Sequence, residues 1–86
     1  MKIRLFVSGD GPETREAKEF VQRVRDYSDI EIETLDVEDR EGKEVAEVYD
    51  IYAVPSLLVI TDEGSTIDCW LGHMPAEFEL KMAINI

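Results

Sequence analysis

The stretch that most limits this chain's architecture is Ser56-Leu57-Leu58-Val59-Ile60-Thr61, a nearly continuous apolar run directly after Pro55. It lacks the polar–apolar alternation of a half-exposed strand and reads as a central strand covered on both faces. Such a strand needs packing layers above and below it, which points to an α/β architecture.

The rest of the sequence supplies those layers. Lys2 to Val7 alternates, with Ile3, Leu5 and Val7 set against Lys2, Arg4 and Phe6, and predicts a short strand. After a glycine-rich turn, Pro12 opens a helix in which Ala17, Phe20, Val21, Val24 and Tyr27 recur at spacings of three and four. Asp10 and Glu13 have the form of a capping box, and Pro12 in the first turn needs no partner for an N–H it lacks. Asp29 to Asp36 has period two and predicts a strand with Ile30, Ile32 and Thr34 on one face and Leu35 on the other. Arg40 to Tyr49 predicts a second helix with Val45, Val48 and Tyr49 inward and Glu41, Glu44 and Glu47 outward. Beyond the central strand come a turn at Asp62-Glu63-Gly64 and a paired strand from Ser65 to Leu71. A last helix runs from Pro75 to Ile86, with Phe78, Met82 and Ile86 at spacing four. The order is βαβαββα. Helical crossovers favour a parallel first pair and the short turn makes the last pair a hairpin. The expectation is one domain over residues 1–86, an α/β unit with a four-stranded mixed sheet flanked by helices.

A chain of 86 residues holds a single small core. Its 20 acidic and 9 basic residues give a net charge of −11, which argues against nucleic acid and against anionic membrane surfaces as partners. Solubility, adaptation to high salt and an acidic docking face would all account for that charge. No apolar run approaches the roughly 18 residues of a spanning helix, and MKIRLFV lacks the small-residue cleavage pattern of a secretory signal, so a cytoplasmic location is expected. A lone cysteine, Cys69, makes neither an internal disulfide nor a structural zinc site. The acidic run Asp36-Val37-Glu38-Asp39-Arg40-Glu41 lacks the ligand order of a calcium loop and reads instead as helix capping by Asp36, Glu38 or Asp39. Arg15, Lys18, Arg23 and Arg25 interleave with Glu13, Glu16, Glu19 and Asp26, which predicts surface ion pairing. No metal or cofactor is expected.

Two motifs narrow the fold. Glu44 to Ile60, EVAEVYDIYAVPSLLVI, resembles the thioredoxin-superfamily segment in which a helix ending in tyrosine leads through isoleucine to Val-Pro-Thr and a core strand. Trp70-Leu71-Gly72 stands where thioredoxins carry a Val-Gly or Ile-Gly turn before the last helix. With the first strand and helix, the likeness spans essentially the whole chain. It implies a cis peptide bond before Pro55, facing the start of the first helix, with the Val54 backbone pairing to an extended segment. Taken alone, Pro55 would merely start a strand, where proline is tolerated; the flanking match favours the cis bond. Aligned with small glutaredoxin-like proteins, Gly11-Pro12-Glu13-Thr14 falls over Cys-Pro-Tyr-Cys. Chemistry there needs a thiolate stabilised by the helix N-terminus. Glycine has no side chain and a threonine hydroxyl stays protonated, so dithiol exchange is excluded at this position. Leu5 to Ala17 also resembles the KaiB family of cyanobacterial clock proteins, which likewise lack both cysteines, adopt a thioredoxin-like fold on binding a kinase partner and work by docking. From Ile60 onward the chain reads as an ordinary thioredoxin ending.

These readings place a groove at Gly11, Pro12, Glu13, Thr14, Val54, Pro55, Gly72 and His73, where three loops converge. Its helix N-terminus suits an anion, although Glu13 already brings a negative charge. Thr14 with His73, the sole histidine, would make a nucleophile pair, but no orienting third group is identifiable. Cys69 is expected inward with Ile67 and Leu71 as a small hydrophobe, with Trp70 on the opposite face. The function expected is a non-catalytic protein-binding or regulatory module whose partner is a protein or peptide segment. The alternative is a glutaredoxin- or thioredoxin-like redox protein working through Cys69 or a partner's thiols. A passive assembly domain is a third reading.

Overall fold

The computed structural model describes residues 1–85. The elements run β1 (Lys2–Val7), α1 (Pro12–Val24), β2 (Glu31–Asp36), α2 (Arg40–Val48), β3 (Ser56–Ile60), β4 (Thr66–Trp70) and α3 (Glu77–Ala83). They form one four-stranded sheet in the order β2-β1-β3-β4. β1 pairs parallel with β2 across the α1 crossover, antiparallel with β3, and β3 pairs antiparallel with β4. The α/β class and the mixed sheet are as the sequence predicts. Among the described residues no helix is long and apolar enough to cross a membrane.

Every residue of β3 is buried, because both faces of the sheet are covered where β3 lies. On one face Ile3, Leu5, Val7, Leu57 and Val59 meet Ala17, Phe20, Val21 and Val24 of α1 and Leu80 of α3. On the other, Phe6, Leu35, Leu58 and Ile60 meet Ala46 and Ile51 at α2. Burying apolar area at about 25 cal/mol per Å² on both sides of one sheet is the main stabilising term in so small a domain.

Several faces differ from the sequence expectation. On α2 the inward residues are Gly42, Val45 and Ala46, with Tyr49 just beyond the helix, whereas Val48 is 78% exposed. The stripe 42, 45, 46, 49 is the one a 3.6-residue period aims at the sheet, and position 48 lies off it. On α3 the buried positions are Leu80 and, just after the helix, Ile84, while Phe78 and Met82 face solvent; Ile86 lies outside the described residues. On β4 the inward residue is Trp70, packed beside the α1 core, and Ile67, Cys69 and, just past the strand, Leu71 are exposed. Cys69 pairs with Leu58, whose face is covered by α2 only as far as β3, so the same face of the edge strand is bare. Tyr27 packs in the turn after α1 rather than on the helix, and Thr34 is exposed at the edge strand β2.

The capping expectations also change. The N-cap of α1 is Gly11 and makes no side-chain cap bond, so Asp10 and Glu13 form no capping box. Asp39 holds the N-cap position of α2, again without a side-chain bond. The acidic run instead fastens the loop ahead of α1. Asp36 Oδ2 accepts the Gly9 N–H at 3.2 Å, Asp36 Oδ1 accepts the Glu38 N–H at 2.9 Å, and Ser8 Oγ donates to Glu38 Oε2 at 3.1 Å. Gly9 takes φ +64°, a left-handed conformation that suits glycine.

Candidate functional site

Three chain segments meet at the head of α1. β1 delivers the loop Ser8–Gly11, whose last carbonyl accepts the Arg15 N–H at 3.0 Å and so starts the helix. Thr14 is buried and its Oγ1 donates to the Ser8 carbonyl at 2.9 Å, tying the first turn back to the strand. Gly11 has φ −65°, and a Cβ built on it would meet nothing within 4 Å. Across from the helix, the Val54–Pro55 peptide bond is cis.

One side chain that sequence reasoning passed over holds the far wall. Ser56, fully buried at the start of β3, donates from Oγ to the Ala53 carbonyl at 2.6 Å and accepts the Gly72 N–H at 3.0 Å. A single hydroxyl therefore locks the Pro55 loop to the β4–α3 loop. Gly72 takes φ +82°, which turns the chain sharply out of β4. The signal available in the sequence was a hydroxyl residue opening an otherwise apolar buried run.

The resulting groove has a volume of about 490 Å³ and is lined by Glu13, Glu16, Ala17, Phe20 and Arg23 of α1, by Pro55, and by Gly72, His73 and Met74. Of the eight sequence-predicted residues, Glu13, Pro55, Gly72 and His73 line it. Gly11 and Pro12 lie exposed at the helix head, Val54 is half-buried against the α2-side core, and Thr14 faces a separate small hollow with Asp10, Arg15 and Lys18. Thr14 and His73 thus share no cavity, and the Thr–His nucleophile pair is not assembled. His73 Nδ1 instead contacts the Met74 carbonyl at 3.1 Å.

The groove extends further along α1 than the sequence reading placed it. Positions 13, 16, 17, 20 and 23 form one stripe at helical spacing, running from the helix head over nearly three turns. Its floor is apolar, with Ala17, Phe20, Pro55 and Met74, and its rim carries carboxylates at Glu13 and Glu16. Arg23 closes the end, its guanidinium 5.5 Å from the centre of the Phe20 ring, a cation–π contact rather than the ion pair expected for it. The arrangement can enclose an apolar side chain beside a backbone segment. It presents no thiol, since Cys69 lies exposed on β4.

No protein-family model matches the sequence, and no curated protein matches it. Among solved structures, thioredoxin 1 from the thermophilic eubacterium Thermosipho africanus superposes with a TM-score of 0.80 at 21% identity, over 99% of this chain and 91% of that one. A thioredoxin-fold protein from Helicobacter pylori matches with a TM-score of 0.71 at 18% identity, over 95% of this chain and 65% of that one. A thioredoxin from Thermus thermophilus matches at 0.65 and 18% identity, over 96% and 70%. The fold is thioredoxin-like.

Proposed function

We propose that this thioredoxin-like domain is a non-catalytic binding or regulatory module that receives a protein segment in the groove between α1 and the Pro55 loop. The observation that carries the reading is the composition of that groove: an open apolar floor of Ala17, Phe20, Pro55 and Met74 at a helix head where Gly11 and Thr14 supply no sulfur. A scaffold of this kind without its nucleophile keeps shape and loses chemistry. An extended segment would lay its backbone along Val54 and place an apolar side chain on the floor.

The test is to select peptides on the purified chain from a random displayed library and map the tightest by amide shifts. Shifts at Ala17, Phe20, Gly72 and His73, together with loss of binding in Met74→Glu, are expected. Selected peptides that shift only residues outside this groove would overturn the reading.

A second reading, thiol–disulfide exchange with a partner's thiols, draws on the exposure of Cys69. Reduction of insulin disulfides by the protein with dithiothreitol, abolished in Cys69→Ser, would replace the first reading with this one.

A further inference from the structure

We propose a second docking surface, independent of the α1 groove, on the face where α3 passes the edge strand β4. Its occupant is a helical segment with apolar side chains along one face and lysines or arginines beside them. A hollow of about 520 Å³ lies there, lined by Trp70, Phe78, Met82 and Ala83 together with Asp68 and Glu79. Phe78 is 66% and Met82 72% exposed, one helical turn apart, on a helix that already buries Leu80 in the core. Two large apolar side chains held in water at spacing four form a patch of the kind that marks an interaction site. Methionine beside an aromatic ring makes such a surface adaptable.

Charge selects the partner. Among the described residues the only ionisable groups lining the hollow are the carboxylates of Asp68 and Glu79, and neither meets a cation there. Each accepts one local backbone N–H, Asp68 from Cys69 at 2.9 Å and Glu79 from Ala76 at 2.8 Å. The nearest cation on the helix, Lys81, is turned away, with its ammonium 4.6 Å from the centre of the Tyr27 ring. An apolar floor with an acidic rim complements a basic amphipathic segment. A second copy of the chain would bring the same two carboxylates and another net charge of −11 against them. Strand addition at the β4 edge is opposed by the register shift opposite Val59 and Ile60 and by Asp68, which occupies the Cys69 N–H. A helix resting on Phe78, Met82 and Trp70 needs neither.

Trp70 is the sole tryptophan and reports on the surface directly. The probe is a synthetic Leu/Lys peptide of about 18 residues, five helical turns, with all leucines on one face. It is titrated into the full chain while Trp70 emission is followed. A saturable blue shift is expected. The double variant Phe78→Ala/Met82→Ala should weaken binding roughly tenfold or more. Asp68→Asn/Glu79→Gln should weaken it and flatten its salt dependence. Glu13→Gln/Glu16→Gln, in the other groove, should leave it unchanged. All substituted positions are exposed, and circular dichroism confirms folding. Equal binding by a sequence-scrambled peptide of the same composition or by a Leu/Glu peptide would overturn the proposal. So would equal loss in the α1-groove variant, or a sedimenting dimer that Phe78→Ala/Met82→Ala dissociates.

Discussion

Replacing Gly42 by alanine sets two physical effects against each other at one residue. In a helix interior alanine is favoured over glycine by about 1 kcal/mol, so propensity alone says that Gly42→Ala stabilises α2. The structure says the opposite. A Cβ at Gly42 would stand 2.0 Å from the Asp36 carbonyl oxygen and 2.7 Å from its carbon. Relieving that overlap means parting the helix and the end of β2 by more than about 1 Å, given that carbon contacts begin near 3.5 Å. The obstacle is backbone and is held in place: the Asp36 carbonyl accepts the Asp39 N–H at 3.0 Å, and its carboxylate holds Gly9 and Glu38. Overpacking of this sort costs about 1–3 kcal/mol, and a rigid neighbour puts it at the upper end. Subtracting the propensity gain leaves a net loss of about 1–2 kcal/mol. For a domain of this size that lowers the melting temperature by about 4–8 °C per kcal/mol. Urea unfolding followed by far-UV circular dichroism measures it, and faster exchange of the Gly9 amide should accompany the loss. A Gly42→Ala midpoint equal to or above that of the parent would refute the packing argument.

Ser56→Ala removes the hydroxyl that joins the Ala53 carbonyl to the Gly72 N–H; a loss of about 1–3 kcal/mol in chemical unfolding is expected, with faster exchange of the Gly72 amide. The Tyr27 hydroxyl is buried without a partner among the described residues, and burial, followed by the charge of Glu77, holds its ionisation above the ordinary 10.0, partly offset by Arg23. The unfolded chain therefore loses this proton first: stability is intact below pH 10 and falls as the pH rises above it, and Tyr27→Phe should flatten that alkaline fall while leaving neutral-pH stability unchanged or slightly raised. Cys69 should react with a thiol reagent in the folded protein within about an order of magnitude of its rate in urea, because its strand face is bare; protection until unfolding would contradict the placement of β4.

What the sequence could convey depended on how each residue's neighbours are determined. β1, β2 and the buried run of β3 are legible because strand alternation, or its absence, is a local property of covered sheets. α1 is legible because one stripe alone is apolar. The last helix carries two stripes at spacing four, Phe78 with Met82 and Leu80 with Ile84, and only the packing of α3 against β1, β3 and α1 chooses the second. For β4 the alternation was visible but its sign was not: Trp70 turns inward because α1 and α3 cover that face, a fact set by topology. The groove was half legible. Glu13, Pro55, Gly72 and His73 followed from loops that meet, whereas Glu16, Ala17, Phe20 and Arg23 depend on how α1 lies across the sheet, and Met74 on the path of the β4–α3 loop.

The glycine that heads α1 differs in kind from the one buried in α2. At Gly42 the fold forbids a side chain. At Gly11 ordinary backbone angles and open space would admit any of them. The fold therefore leaves the choice of residue at that position open, and the framework can take a different side chain there without rebuilding itself.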